Sequence, residues 1–165
     1  DYLPNQQAVL KIIHEIDPLL QQQAPFPYVI LISGKGLPEP IVAAVAKTNG
    51  RVIYAGFVDR PADYLAAADI FINPVLEGGG VKTKVLEALA AHKTVVSTVS
   101  GAIGVDTAIC GNKLKTVPDQ DWPQFAAGMQ QLDGINDPTP ASFFAYHDQL
   151  RVAEAAANIM KEVLQ

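Results

Sequence analysis

Apolar residues along this chain alternate between two rhythms. From about Asn5 to Gln22, the residues Ala8, Val9, Ile12, Ile13, Ile16, Leu19 and Leu20 recur at helical spacing, with Asn5 after Pro4 as the expected N-cap. Tyr28 to Ser33 is instead a continuous apolar run, which reads as a strand buried on both faces. Glu39 to Lys47 is again helical and stops at Asn49-Gly50. A strand follows from Arg51 to Phe57, then a short helix from Ala62 to Ala68 started by Arg60-Pro61. Ile70 to Val75 is a third strand, leading through a glycine run into a helix that reaches about Ala91. Thr94 to Val99 and Lys115 to Val117 are further strands, and Trp122 to Leu132 is a helix. The turn-rich segment Asp133 to Pro140 precedes a last apolar-periodic stretch, Ser142 to Leu164, which reads as one helix or two.

Strands alternating with helices imply an α/β fold, a doubly wound parallel sheet with helices on both faces and right-handed crossovers, Rossmann-like in form. No repeat or composition shift divides the 165 residues, so the whole length is expected to be one domain, 141–165 forming its C-terminal helix or helices. The chain goes from the loop Asp1-Tyr2-Leu3-Pro4 straight into a helix, whereas a doubly wound domain starts with a strand. A preceding strand is therefore expected outside these residues. Without it the sheet should show an open edge, a route to self-association.

Composition narrows the function. A 49% hydrophobic and 18% charged chain is a compact folded domain rather than a disordered one. The net charge of −5 argues against the basic face that a nucleic-acid partner needs. The single cysteine, Cys110, permits no internal disulfide and fits a reducing compartment. A cytoplasmic setting is expected.

The densest chemistry lies in Asn73-Pro74-Val75-Leu76-Glu77-Gly78-Gly79-Gly80-Val81-Lys82-Thr83-Lys84-Val85-Leu86-Glu87-Ala88. A strand, a permissive loop and a helix start in that order suit a phosphate, because Gly78, Gly79 and Gly80 let backbone N–H groups approach an anion. The helix start adds orphan donors and partial positive charge. Lys82 and Lys84 add full charge, and Glu87 can accept hydrogen bonds from sugar hydroxyls. Ser97 and Thr98, ending the next strand, are candidate hydrogen-bonding partners for the same ligand. The bland alternatives are a tight connection for the glycines, surface lysines at 82 and 84, and strand-end hydroxyls that cap a turn.

Competing motifs fail. Ser33-Gly34-Lys35-Gly36-Leu37-Pro38-Glu39 begins like a dinucleotide fingerprint, but Glu39 stands where the third glycine belongs and two prolines crowd the turn. Gly34-Lys35-Gly36 lacks the hydroxyl that holds magnesium in a Walker loop. His14, His92 and His147 are scattered and form no metal-ligand pattern, and Trp122 reads as core.

These residues carry a family resemblance. Asp69 to Gly104, with Pro74, the glycine run, Lys84, Leu86-Glu87-Ala88, Val95-Val96-Ser97-Thr98 and Gly101-x-x-Gly104, resembles the donor half of the group 1 retaining glycosyltransferases of GT-B fold. Tyr2-x-Pro4-Asn5, Gly56-Phe57-Val58, Gly111-Asn112-Lys113-Leu114 and Pro118 are similar to that family as well. The resemblance implies the C-terminal, donor-binding domain of an enzyme whose acceptor domain is not in this chain. It assigns Glu87 to the ribose hydroxyls, the glycine loop to the diphosphate and donor sugar, and Phe57 and Val58 to the border of the base. The family's second glutamate lies eight positions before the ribose one; here that position is Gly79, and Glu77 lies ten before. Glu77 either reaches the sugar from a longer loop or takes no part.

The implied reaction is transfer of a sugar, with retained configuration and without a bound metal or cofactor, from a nucleoside diphosphate that is UDP-, GDP- or ADP-linked. Glu77, Lys82 and Lys84 are the residues expected to serve the reacting centre, the lysines by stabilising the leaving diphosphate. The acceptor, a glycan or lipid, would come through the other domain, with the full-length enzyme peripheral to the inner face of a membrane. Two other readings stay open: a nucleotide-sugar-binding domain without catalysis, and a GT-B epimerase acting on the nucleotide sugar.

Overall fold

A computed structural model describes residues 2–23 and 27–148. Helix α1 (Leu3–Lys11) runs through a π-helical turn (Ile12–Ile16) into α2 (Asp17–Gln23) as one rod. Its N-cap is Tyr2 rather than Asn5, because Pro4 sits in the first turn, where its missing N–H costs nothing. In the π turn the N–H of Asp17 reaches back to the carbonyl of Ile12, and Ile12, Ile13 and Ile16 all face the core. The remaining elements are β1 (Ile30–Ser33), α3 (Glu39–Ala46), β2 (Val52–Gly56), α4 (Pro61–Ala67), β3 (Ile70–Asn73), α5 (Thr83–Ala90), β4 (Thr94–Thr98), β5 (Leu114–Val117), α6 (Trp122–Leu132) and α7 (Ala141–Tyr146). The expected helical stretch from 149 to 164 lies outside the described residues.

Every strand pairing is parallel, as alternation with helices demands. The strands form two ladders rather than one, β1-β2 and β3-β4-β5. Both nevertheless present a face to the same apolar cluster: Ile30 and Val52 from the first and Val96 and Val117 from the second meet Val9, Ile12, Ile13 and Ile16 of the α1–α2 rod and Phe125 of α6. A second cluster on the other side of β4 joins Val95 to Val85, Ala88 and Leu89 of α5 and to Phe143 of α7. Adjacent residues of β4 thus point into opposite clusters, which puts helices on both faces of that ladder.

The expectation that Tyr28 to Ser33 is buried on both faces is corrected. Only Ile30 to Ser33 is strand, and Leu31 is 44% exposed beside its cross-strand partner Ile53 at 42%. β4, by contrast, is buried along its whole length.

A buried carboxylate braces the β1-β2 half. Asp17 accepts from Arg51 Nε (2.9 Å) and Nη2 (3.1 Å), from Tyr28 Oη (2.7 Å) and from Gln21 Nε2 (3.1 Å). All its lone-pair capacity goes to donors, which is what allows the charge to be buried. Burial and the neighbouring carboxylate both push the Tyr28 phenol well above its usual range. In the other half, Lys113 is buried with its ammonium on Thr94 Oγ1 (3.0 Å) and the Ile135 carbonyl (3.4 Å), and burial lowers its pKa. Trp122 lies in the core, as its pattern implies.

Candidate functional site

The C-terminal ends of parallel strands are where such sheets receive ligands. Three loops gather at that end of the β3-β4-β5 ladder. The first is the glycine loop between β3 and α5, the second follows β4 through Ser100–Ala102, and the third follows β5 at Pro118 and Asp119. Gly78 (φ +112°) and Gly80 (φ +74°) hold left-handed backbone that other residues resist, so the loop's path requires glycine at these two positions. A side chain at Gly78 would also meet the Tyr2 hydroxyl at 2.5 Å, so the entry to α1 packs directly on this loop.

Buried hydroxyls fix the loop's stem. Ser97 Oγ donates to the carbonyls of Asn73 (3.3 Å) and Thr98 (3.0 Å). Thr98 Oγ1 donates to the Val75 carbonyl and accepts from the Gly101 N–H (2.9 Å). Asn73 Nδ2 donates to the Gly101 carbonyl at 2.7 Å. Both hydroxyl residues are completely buried. As strand-end hydroxyls that brace a turn, their side chains join β3 to β4 and support the loop from beneath. Gly101 makes this possible, since a Cβ there would lie 2.6 Å from Ser97 Oγ and 2.8 Å from the Asn73 carbonyl oxygen. Gly104 similarly admits Val81, 3.0 Å from where its Cβ would be.

The charged residues are placed as follows. Lys82, at the N-cap of α5, turns its ammonium onto the Gly78 carbonyl and closes the loop into a ring. Lys84 Nζ donates to Glu87 Oε2 at 2.7 Å on the exposed face of α5. Glu77 is exposed, as are Gly79 and Gly80. Phe57 and Val58 lie just past the end of β2, at the same end of the other ladder, with Phe57 60% exposed. An open cleft of about 460 Å³ lies between Gln7, Lys11, His14 and Glu15 of the first rod and Pro74 and Leu76 at the foot of the glycine loop.

Three contributors carried little signal in sequence. Tyr2 and Asn73 act through contacts with backbone far along the chain, and Lys35 reaches the Phe57 ring, 4.0 Å from its centroid. Asn73 at a strand end before a glycine loop was the one readable hint. Among the described residues no three His, Cys, Asp or Glu side chains gather in a way that could hold a metal, and no helix is long and apolar enough to cross a membrane.

Comparison with known proteins finds the same fold. A crystal structure of HepE from Anabaena in complex with UDP superposes with a TM-score of 0.68 at 15% identity, covering 90% of this chain and 44% of that one. A glycosyltransferase from Rickettsia africae gives 0.61 at 16% identity, over 74% of this chain and 34% of its own. WaaG, a glycosyltransferase involved in lipopolysaccharide biosynthesis, gives 0.53 at 17%, over 78% and 33%. These likenesses place the fold among the GT-B glycosyltransferases. An uncharacterized 44.6 kDa protein of the cps region of Klebsiella pneumoniae is 30% identical over 115 residues, 64% of this chain and 29% of that protein. The chain spans less than half the length of each of these relatives. The family described as glycosyl transferases group 1 matches residues 2–133, and the chain belongs to it.

Proposed function

We propose that this chain is the domain that holds the nucleoside-diphosphate-sugar donor, and that the full-length protein transfers the sugar with retention to an acceptor brought by a second domain. The observation that carries this reading is the glycine loop. Its left-handed backbone, closed by Lys82 and braced by Ser97 and Thr98, leads into the start of α5 beside two lysines. That HepE is found with UDP, with UDP and glucose, and with UDP-glucose supports the same ligand class.

The diphosphate then lies over Gly78 to Gly80, with the base toward Phe57 and Val58. Lys84 and Glu87 divide the ligand between them. The ammonium faces phosphate and the carboxylate accepts from the ribose hydroxyls, so their mutual ion pair is exchanged for two ligand contacts. Such an exposed pair is worth only about 0.2–1 kcal/mol, a small obstacle to that exchange. As the glycosidic bond breaks, the leaving diphosphate gains charge that the loop amides, Lys82 and Lys84 stabilise. In this reading Glu77, exposed beside the loop, meets the sugar rather than the nucleotide.

The test is a pair of substitutions in the full-length protein, with donor affinity measured by calorimetry and transfer assayed on the same samples. Glu87→Ala is expected to weaken donor use roughly 10- to 100-fold, the worth of charge-assisted hydrogen bonds to two hydroxyls, and Glu77→Ala by less. Equal losses would assign Glu77 to the donor as firmly as Glu87. No donor binding by the wild type, across UDP-, GDP- and ADP-sugars, would overturn the reading.

A further inference from the structure

We propose that Lys35 selects the nucleobase: its ammonium, seated on the Phe57 ring, donates to the carbonyl edge of a base beside that ring and favours uracil- and guanine-type bases over adenine. This rests on the donor-site reading above and adds the residue that discriminates among donors.

The segment Ser33-Gly34-Lys35-Gly36 has no nucleotide fingerprint, yet its geometry is built rather than loose. Gly34 (φ +140°) and Gly36 (φ +77°) flank Lys35 with backbone that turns the loop back on itself. The Gly34 N–H donates to the Gly56 carbonyl (2.8 Å), and Tyr54 Oη donates to the Gly34 carbonyl (2.8 Å). The loop after β1 is thereby fastened to the end of β2. At that point the register shifts, Ile32 opposing Tyr54 and Ser33 opposing Gly56, so Ala55 is the extra residue of a bulge. Bulges re-aim the side chains that follow, and here the next one is Phe57. Lys35 Nζ ends 4.0 Å from the centroid of the Phe57 ring.

The chemistry follows from what this pair leaves available. Phe57 is 60% exposed, and a base offset-stacked over the rim of the face that carries the ammonium has its edge level with Nζ, whereas a base on the opposite face is out of its reach. The cation–π contact of an exposed lysine is worth about 0.5–1 kcal/mol, enough to bias its position while its N–H donors stay open. Among the described residues no ion pair or hydrogen bond engages that ammonium. Uracil and guanine present carbonyl oxygens to such a donor, whereas adenine presents an amino group at the corresponding edge.

The experiment titrates the full 165-residue chain, wild type and Lys35→Met, with UDP, GDP, ADP and inorganic pyrophosphate, following NMR shifts or heat. Methionine keeps the unbranched stem against Phe57 and removes the charge. The expected result is a wild type that prefers UDP or GDP to ADP, and a variant about fivefold weaker for UDP and GDP, unchanged for pyrophosphate. Lys35→Arg should restore the preference, and an unchanged melting temperature should accompany both variants. Equal nucleotide affinity in wild type and Lys35→Met overturns the base-selecting role and leaves the donor-site reading standing. A wild type that binds neither nucleotide nor pyrophosphate overturns both. Equal weakening for pyrophosphate and UDP shows a general electrostatic contribution and also overturns base selection.

Discussion

The two ladders are made of the same kind of apolar parallel strand, yet they are supported very differently. β4 lies between two partners and under helices on both faces, and none of its five residues is exposed. β1 has one partner, and on the face away from the α1–α2 rod Leu31 and Ile53 meet solvent. The glycine loop, proposed above to hold the diphosphate, grows from the well-supported half, where buried hydroxyls lock its stem. Lys35 and Phe57, proposed to meet the base, grow from the open half. In that proposal the diphosphate, common to every candidate donor, meets a rigid cradle, while the base, which varies among donors, meets the part of the molecule held by fewer contacts.

The same substitution made in both halves tests this contrast most strongly. Leu89→Ala, at a fully buried position under β4, should cost about 3 kcal/mol, whereas Leu31→Ala should cost less than about 1 kcal/mol. Urea denaturation of the two variants measures both, and equal losses would show that the open half is covered in solution. Next in size is Gly101→Ala, which forces a methyl group against Ser97, Thr98 and the Asn73 carbonyl. A cost of about 2 kcal/mol is expected from overpacking, together with weaker pyrophosphate binding as the loop stem shifts. Gly79→Ala is its control, because no atom lies within 4 Å of the added carbon and a stability change near zero is expected.

A smaller effect belongs to the open half. Tyr28→Phe removes one hydrogen bond to Asp17 and should cost about 1 kcal/mol at neutral pH, leaving the Arg51 pair in place. Because the folded chain holds the phenolic proton more tightly than the ordinary value of 10.0, this stabilisation is complete below pH 10 and declines as pH rises above it. Thermal melts at about pH 7 and about pH 11 should show the wild type losing more stability between the two than Tyr28→Phe does. An equal loss would place the alkaline sensitivity elsewhere.

Much of this architecture was readable from residue order. Trp122 to Leu132 carries clear periodicity, and its Asp121 cap accepts from Gln124 in the observed helix. The glycine loop was readable because three glycines between a strand and a helix have few uses. The division into two ladders was not, since a run such as Ile30-Leu31-Ile32 looks the same whether one neighbour or two flank it. The fates of Ser97 and Thr98 were hidden for a related reason: whether a strand-end hydroxyl faces ligand or backbone depends on Gly101, which approaches from another loop. The Lys84–Glu87 pair was implicit in an i, i+3 spacing on a helix, but the functional pattern drew both residues toward a ligand instead. Lys35 is not legible in residue order, because the fingerprint it sits in is broken and its direction is set by two left-handed glycines and a bulge.

The break between β1 and β3 also governs how the molecule comes apart. Within each ladder, backbone hydrogen bonds tie strand to strand, but among the described residues the union of the two ladders runs through side chains packed against the rod of α1, the π turn and α2. The rod is bonded to the β1-β2 side through Asp17 but meets β4 and β5 through apolar packing, which fixes no angle, so the two halves are expected to open as separate cooperative units. Amides of β4 would then exchange with solvent only on global unfolding, while those of β1 and β2 exchange through a cheaper, local opening. The rod, packed against both, acts as their common spine.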